Sequence, residues 1–509
     1  MAKLAPRAAP ADDNGPGRRA RWVTPELLPR RWCAAAFAAC AIFATGVALF
    51  SSNGLHRRWG LVAACAYAAA AVAVLAWRSR GADLALLVSV AGALVTPLFW
   101  NAATGRRQPE VSVIQRSAGQ LVHHHSPYQS AAALAAVHNP NAYNPYLPVM
   151  SLFGIPRALF GPGAITDPRI WFGLAFLLVF GLALAAAGAR HFVRWTFFIA
   201  ATPVIAFELA VGGTDIPILA LMCLGLALLW RRPRHVLAGL AIGLAAAAKA
   251  TAWPAIVVAA VLIAVRDGRR PTLYFIGAAL AACAALIGPV AILWPSALVA
   301  NTIMFPLGLA SIKSAAASPL PGHIIAQTGQ AGHVIAVVLL ALAGLAIAVS
   351  LVVRPPRDVP SATWRLIIGL TLMFALAPAT RFGYFIYPGA LLAWLEVSLL
   401  TGPGPALARR SPEPVRWRGE RRPGPRRLPA RWPGTRRLAA RWLAASWLPA
   451  RWPGTKWPGA RWPGARWQRS GRCPMRHRGG APLRNRAEPR PGQGGARKPG
   501  GAPARAGWG

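Results

Sequence analysis

Between residues 33 and 401 the chain is written in long apolar runs separated by short polar breaks. Most of the runs are long enough, at ~1.5 Å per residue, to cross a hydrocarbon layer of ~30 Å as helices. The pattern predicts spans near 33–50, 59–77, 82–100, 169–189, 195–211, 216–230, 273–294, 333–353, 366–378 and 384–401. The run 236–265 is equally apolar but is interrupted by Lys249 and Pro254. Only helices and closed barrels satisfy their backbone in lipid, and runs of this length are helical. The expected fold is therefore an all-α polytopic membrane bundle of about 10–12 transmembrane helices with one large outer loop, 101–168.

Composition agrees with that reading. Hydrophobic residues make up 55% of the chain, charged residues 14%, and the mean hydropathy is +0.40, which excludes an ordinary soluble globule. The placement of Lys and Arg then orients the spans, because short positive loops stay on the cytoplasmic side. "GRRARW" near the N-terminus, "RSR" at 78–80, "RHFVR" at 190–194, "RRPRH" at 231–235, "RDGRR" at 266–270 and "RPPRD" at 354–358 mark the inside. Alternation puts 101–168, 212–215, 295–332 and 379–383 outside. The scheme closes if 236–265, basic at both ends, enters and leaves on the cytoplasmic side as a helical hairpin with Lys249 at its tip, or if another span is miscounted. Residues 1–31 form a basic cytoplasmic N-terminus and 32–401 the membrane domain. The first apolar run follows a basic, Pro-rich stretch without a small-residue cleavage site, so it is expected to stay as an anchor. The six cysteines fall in spans or in the tail, none in the outer loop, and no structural disulfide is expected in that loop.

From 402 to 509 the composition changes to Arg, Pro, Gly, Ala and Trp, with "RWPG" at 431–434, 451–454 and 461–464. Repeated Pro-Gly pairs forbid long helices or strands, and the segment reads as disordered. A solvated tail without a role, and a basic Trp-bearing segment lying on the anionic inner leaflet, are both compatible with it. The same string could arise from a slipped GC-rich reading frame. Nucleic acid is not expected as a partner, and the tail does not bear on function.

Acids are scarce in the membrane part, which shortens the search for a catalytic carboxylate. Asp83, Asp267 and Asp358 fall on the inner side and Glu396 near the inner end of the last span, leaving Glu110, Asp167, Glu208 and Asp215 to face outward. Glu110, shortly after the third span, can take a proton from an attacking hydroxyl, or it can be a loop acid paired with Arg106 or Arg107. Asp167, before Pro168 and Arg169, reads as a helix N-cap. Asp215, after Gly212-Gly213-Thr214, reads equally as a cap or as a site residue, and Glu208 as a partner for a neighbouring polar group. His123, His124 and His125 are adjacent and cannot all point at one metal, so no metal site is expected.

Five segments taken together are more specific: "PEVSVIQRSAGQLVHHHSPY", "NPNAYNPYLPVMSLFGIPRALFG", "GGTDIPILALMCLGLAL", "GLAIGLAAAAKATAWP" and "RFGYFIYP". In this order they resemble the bacterial GT-C membrane glycosyltransferases of family 87, which include polyprenol-phosphate-mannose-dependent α-1,2-mannosyltransferases. The resemblance covers about 80–400 and leaves the tail out. It implies a GT-C-like bundle whose outer loop carries an acidic general base, and an inverting transfer from a lipid-linked sugar without nucleotide sugar, metal or other cofactor. The donor would be a polyprenyl-phosphate hexose, mannose in the first place. The acceptor would be a glycolipid or polysaccharide of the cell envelope, at the outer face of a plasma membrane. By position Glu110 matches the loop acid of the family. It is Glu rather than Asp and follows the third span rather than the first, so Asp215 stands as the alternative base.

A departing lipid phosphate needs cations at membrane depth. Lys249 and Arg381 are available for it, although Lys249 could instead snorkel or pair with Glu208, and Arg381 could be an interface anchor. Tyr128, Asn141, Tyr143, Asn144 and Tyr146 form a candidate rim for sugar or acceptor hydroxyls; Asn-Pro turns and interfacial tyrosines look the same. The competing class is a transporter or lipid flippase, which would carry an internal repeat and a midplane site. No repeat is visible, and the polar residues collect toward the outer side.

Overall fold

The computed structural model describes residues 29–402 apart from positions 138, 311, 313 and 315. The basic N-terminus and the Arg/Pro/Trp/Gly-rich tail, for which a cytoplasmic face and disorder were expected, lie outside the described residues. Among those described, the chain is helical, with a single isolated bridge between Ala317 and Thr380.

The chain runs back and forth between two ends. Helices α1 (Arg30–Phe50), α2 (Gly54–Ala76) and α3 (Gly81–Ala103) lead into the loop that contains α4 (Pro109–His124). There follow α5 (Pro168–Ala186), α6 (Phe192–Ala200), α7 (Pro203–Val211) and α8 (Ile216–Leu228). Next come α9 (His235–Ala248), α10 (Trp253–Arg266) and α11 (Arg269–Leu293). The last are α12 (Gln330–Val353), α13 (Val359–Leu376) and α14 (Ile386–Thr401). Among the described residues eight helices are long and apolar enough to cross a membrane, or nine if α6 and α7 form one bent span. This is a multi-pass membrane protein.

One end gathers the basic loops. Arg30 donates to the carbonyls of Val74 and Leu75, Arg231 to Ala187 and Arg266 to Leu229, while the N–H of Arg190 meets the carbonyl of Thr401. With the Arg194–Asp83 ion pair at 2.9 Å, which bridges the starts of α6 and α3, these contacts place the loops before α1, after α2, after α5, after α8, after α10 and after α14 together, as the alternation of Lys and Arg predicts.

The run 236–265 is a hairpin. Its two 14-residue arms, α9 and α10, are joined through Lys249 and a 3₁₀ turn, Ala250–Ala252. The base is closed by His235 Nε2 at 2.8 Å from Asp267 Oδ2, so Lys249 stands ~21 Å away at the tip. Gly239 and Gly243, one turn apart, let α9 lie directly on α11. A Cβ at either position would fall 2.3 Å from the carbonyl oxygen of Phe275 or 2.6 Å from that of Ala279.

Three predicted spans change shape. The single span 195–211 is two helices bent by 63°. Pro203 has no N–H to continue α6 and holds Thr202 in extended backbone, so the ladder stops there. The orphaned carbonyl of Ala201 is taken by the buried Tyr67 hydroxyl at 2.6 Å. The predicted span 216–230 is only the 13-residue α8, and the short run 366–378 is the end of a longer helix that starts at Val359, where Asp358 caps it. In α3 a π turn over Val90–Val95 shifts the ladder, and Trp59 Nε1 donates to the carbonyl of Ala93 at 2.9 Å. The core is aromatic and small-residue rich, with Trp59, Tyr67, Phe172, Phe176, Phe180 and Trp394 fully buried. The outward faces of α1 and α12 keep Leu, Ile and Val exposed, as lipid-facing surfaces do.

Candidate active site

The end of the bundle opposite the basic loops is built by short non-helical joints. Each joint exposes one polar residue that a continuous helix would have turned away. The first joint is the start of α4. Gln108 is extended, its N–H donates to the carbonyl of Val211 at 3.0 Å, and its side-chain Nε2 lies 2.8 Å from His56 Nε2. Pro109 opens the helix at a position that needs no N–H donor. This docking fixes Glu110, in the first turn of α4, so that its Oε1 forms an ion pair with Arg381. The other oxygen, Oε2, is buried with no hydrogen-bond partner.

Arg381 belongs to the second joint. Thr380 is held by backbone bonds to Ala316 and Ser318, and its hydroxyl donates to the carbonyl of Phe374. Arg381 is therefore extended, and a 3₁₀ turn, Phe382–Phe385, leads into α14. The third joint is Gly212-Gly213, where Gly213 takes φ +77°, a conformation that other residues rarely adopt. The turn sets Asp215 at the head of α8, but its side chain does not cap the helix. Its Oδ1 receives Lys249 Nζ at 2.5 Å and the Tyr387 hydroxyl at 2.9 Å. Thr251 Oγ1 donates to the Tyr387 oxygen at 2.9 Å.

The hairpin tip is the fourth joint. Lys249 leaves the helix in extended backbone, and its ammonium lies 4.7 Å from the ring centre of Tyr384 and 5.4 Å from that of Tyr146. Two aromatic faces and one carboxylate make a setting in which a buried ammonium keeps its charge. The fifth joint is the loop before α5, tied to the tip by the N–H of Leu147 and the carbonyl of Ala248. It brings Tyr146, whose hydroxyl lies 3.0 Å from Thr214 Oγ1.

Both carboxylates and both cations named from the sequence thus lie at this end, as two ion pairs joined by the segment 381–387. The pairings differ from those expected. Glu110 meets Arg381 rather than Arg106 or Arg107, and Arg107 bonds instead to Ser112 and the carbonyl of Gly105. Lys249 meets Asp215 rather than Glu208. Asp167 is an N-cap as predicted, accepting from the N–H of Arg169, and it also chelates that guanidinium in a fully buried pair.

Of the five rim residues, Tyr146 alone reaches the Asp215 cluster. The Tyr128 hydroxyl donates to the carbonyl of Tyr146, the Asn144 side chain bridges Pro127 and Tyr146, and Tyr143 stacks on Phe305 at 4.4 Å. Asn141 is exposed, and its carbonyl accepts from Arg116. These groups hold the loop together. His123, His124 and His125 end α4 at an exposed position, His125 in the left-handed region. Among the described residues no three His, Cys, Asp or Glu come together as metal ligands would.

Tyr384, Tyr387 and Thr251 were not singled out from the sequence. Their signal was present in "RFGYFIYP" and "KATAWP", where polar atoms interrupt an apolar run next to a named cation.

The family model described as glycosyltransferase family 87, GT87, matches residues 144–378. No curated protein and no solved structure shows significant similarity to the chain. The matched region contains Tyr146, Asp215 and Lys249, ends just short of Arg381, and begins after Glu110. Residues 144–378 are thus similar to glycosyltransferase family 87, and that similarity indicates a membrane glycosyltransferase.

Proposed function

We propose that the protein transfers a hexose, mannose in the first instance, from a polyprenyl-phosphate sugar to a glycolipid or glycan of the cell envelope. The reading is carried by the convergence of two cations and two carboxylates on one end of a lipid-embedded bundle, which suits a donor with a sugar and a phosphate on a lipid chain. Glu110 is the general base. Its unpartnered Oε2 takes the proton of the acceptor hydroxyl, and the hydroxyl oxygen attacks the anomeric carbon. The bond from that carbon to the phosphate oxygen breaks, and the electron pair leaves with the polyprenyl phosphate. Lys249 and Arg381 oppose the charge that grows there. Backside attack inverts the anomeric centre.

Asp215 is the second candidate for the base, because both of its donors bind the same oxygen and Oδ2 accepts no bond among the described residues. We place the site at the outer face of a plasma membrane, because the basic loops gather at the opposite end. A transporter has no need of the match to a glycosyltransferase family. The test is transfer from labelled polyprenyl-phosphate mannose by membranes carrying the wild type, Lys249→Gln or Arg381→Gln. Loss of one charge-stabilising donor is expected to slow turnover ~10²- to 10³-fold. Wild-type turnover retained in both variants refutes the assignment.

A further inference from the structure

One carboxylate at the site end has no role in this scheme. Glu208 lies on α7, one turn before the Gly212-Gly213 joint, and its backbone carbonyl accepts the N–H of Gly212 at 2.8 Å. It is close enough to Asp215 and Lys249 to feel both charges. Each neighbouring acid is neutralised, Glu110 by Arg381 and Asp215 by Lys249 and Tyr387. Glu208 makes no ion pair or side-chain hydrogen bond among the described residues, although it is largely buried. A carboxylate without donors in such a place is costly unless something that visits the site supplies them.

The neighbouring backbone approaches it closely. Gly383, in the turn between Arg381 and Tyr384, has no side chain, and a Cβ there would fall 2.8 Å from Glu208 Oε1. Its backbone does not require glycine, since its φ is not positive. The glycine lets the turn lie close to the Glu208 carboxylate, and a side chain at 383 would push that carboxylate aside.

We propose that Glu208 is a sugar-recognition residue, whose two carboxylate oxygens accept hydrogen bonds from ring hydroxyls of the donor sugar while Lys249 holds its phosphate. A carboxylate is an acceptor-only group whose two oxygens suit a vicinal diol. The ligand class follows as a hexose whose hydroxyls are unmodified on the edge facing α7. A site built to bind a hydroxyl discriminates strongly against the analogue that lacks it, because the protein group is left bare.

This inference rests on the glycosyl-transfer reading above. The experiment measures binding and transfer of labelled polyprenyl-phosphate mannose, and of the monodeoxy-mannosyl donors, by full-length protein in membranes. The forms compared are wild type, Glu208→Gln and Gly383→Ala. In Glu208→Gln the donor KM is expected to rise about ten- to a hundredfold with kcat changed only a few-fold, as loss of a charge-assisted hydrogen bond implies. The preference of the wild type for mannose over one deoxy analogue is expected to collapse in the same variant. Gly383→Ala, which keeps the carboxylate but displaces it, is expected to shift both quantities in the same direction. A merely structural Glu208 would lower the yield of folded protein and leave the deoxy preference intact. An active wild type whose variants keep both KM and preference overturns the role of Glu208 alone. A wild type that neither binds nor transfers from these donors overturns the transfer reading and this inference with it.

Discussion

Lys249 and Asp215 form a pair whose two halves are not equivalent, and the asymmetry can be measured. Their side chains are 11% and 15% exposed, so removing either partner leaves a charge with little water. Lys249→Met strips Asp215 of its only cation among the described residues and leaves the Tyr387 hydroxyl as its one donor. Breaking a buried pair in this way costs about 3–5 kcal/mol. Asp215→Asn leaves the ammonium between the faces of Tyr384 and Tyr146, at 4.7 and 5.4 Å, and each ring contributes roughly 0.5–2 kcal/mol. The acid-side variant should therefore be the milder, by about 1–3 kcal/mol. The double variant, with neither charge, should be more stable than Lys249→Met alone. The assay is the half-unfolding point of the solubilised protein in graded SDS for the wild type, both singles and the double. Additive penalties, or a double variant worse than Lys249→Met, would refute the reasoning.

Other expectations follow from single contacts. Asp167→Ala removes both the cap of α5 and the partner of the fully buried Arg169, and should cost about 3–5 kcal/mol, read as loss of folded protein in the same SDS titration. Gly243→Leu should separate α9 from α11, seen as a large fall in folded yield, whereas Gly46→Leu, where nothing lies within 4 Å of the added carbon, should be tolerated. At the base of the hairpin, hydrogen bonds from Arg266 hold the Asp267 carboxyl below its usual range, against a smaller effect of burial and with further help from His235. A depressed carboxylate stabilises the fold above its unfolded value, about 3.9, and this contribution disappears as pH falls through the lower folded value. Unfolding of the wild type between pH 5 and pH 3, measured at about half-unit intervals, should thus steepen with acid, and Arg266→Gln should flatten the curve. A curve of unchanged slope in Arg266→Gln would contradict the linkage.

The bundle was legible because a membrane leaves few options. Apolar runs of span length are helices, and Arg and Lys at every second break sorted the loops between two ends, with a hairpin at 236–265 as one way to close the alternation. The bend at Pro203 carried its signal in the proline. Burial by neighbouring helices, more than length, explains the 13-residue α8, whose flanks are covered by protein. The residues of the candidate site stood out by type, because acids and cations at membrane depth are rare. Their partners were not, since helices α5 to α13 lie between Glu110 and Arg381 in the sequence. The five rim residues show the opposite case. A Tyr or Asn in a loop looks the same whether it awaits a sugar or, like Tyr128 and Asn144, bonds the loop to itself.

The central claim is that the end holding the Glu110–Arg381 and Asp215–Lys249 pairs performs glycosyl transfer with Glu110 as base. The most direct test is transfer of labelled mannose from polyprenyl-phosphate mannose to envelope acceptors, comparing wild type with Glu110→Gln in membranes of equal expression. Glutamine keeps the size of the side chain and cannot accept the proton, so the account predicts transfer by the wild type and its loss in the variant. Transfer at the wild-type rate in Glu110→Gln would contradict the account and move the base to Asp215.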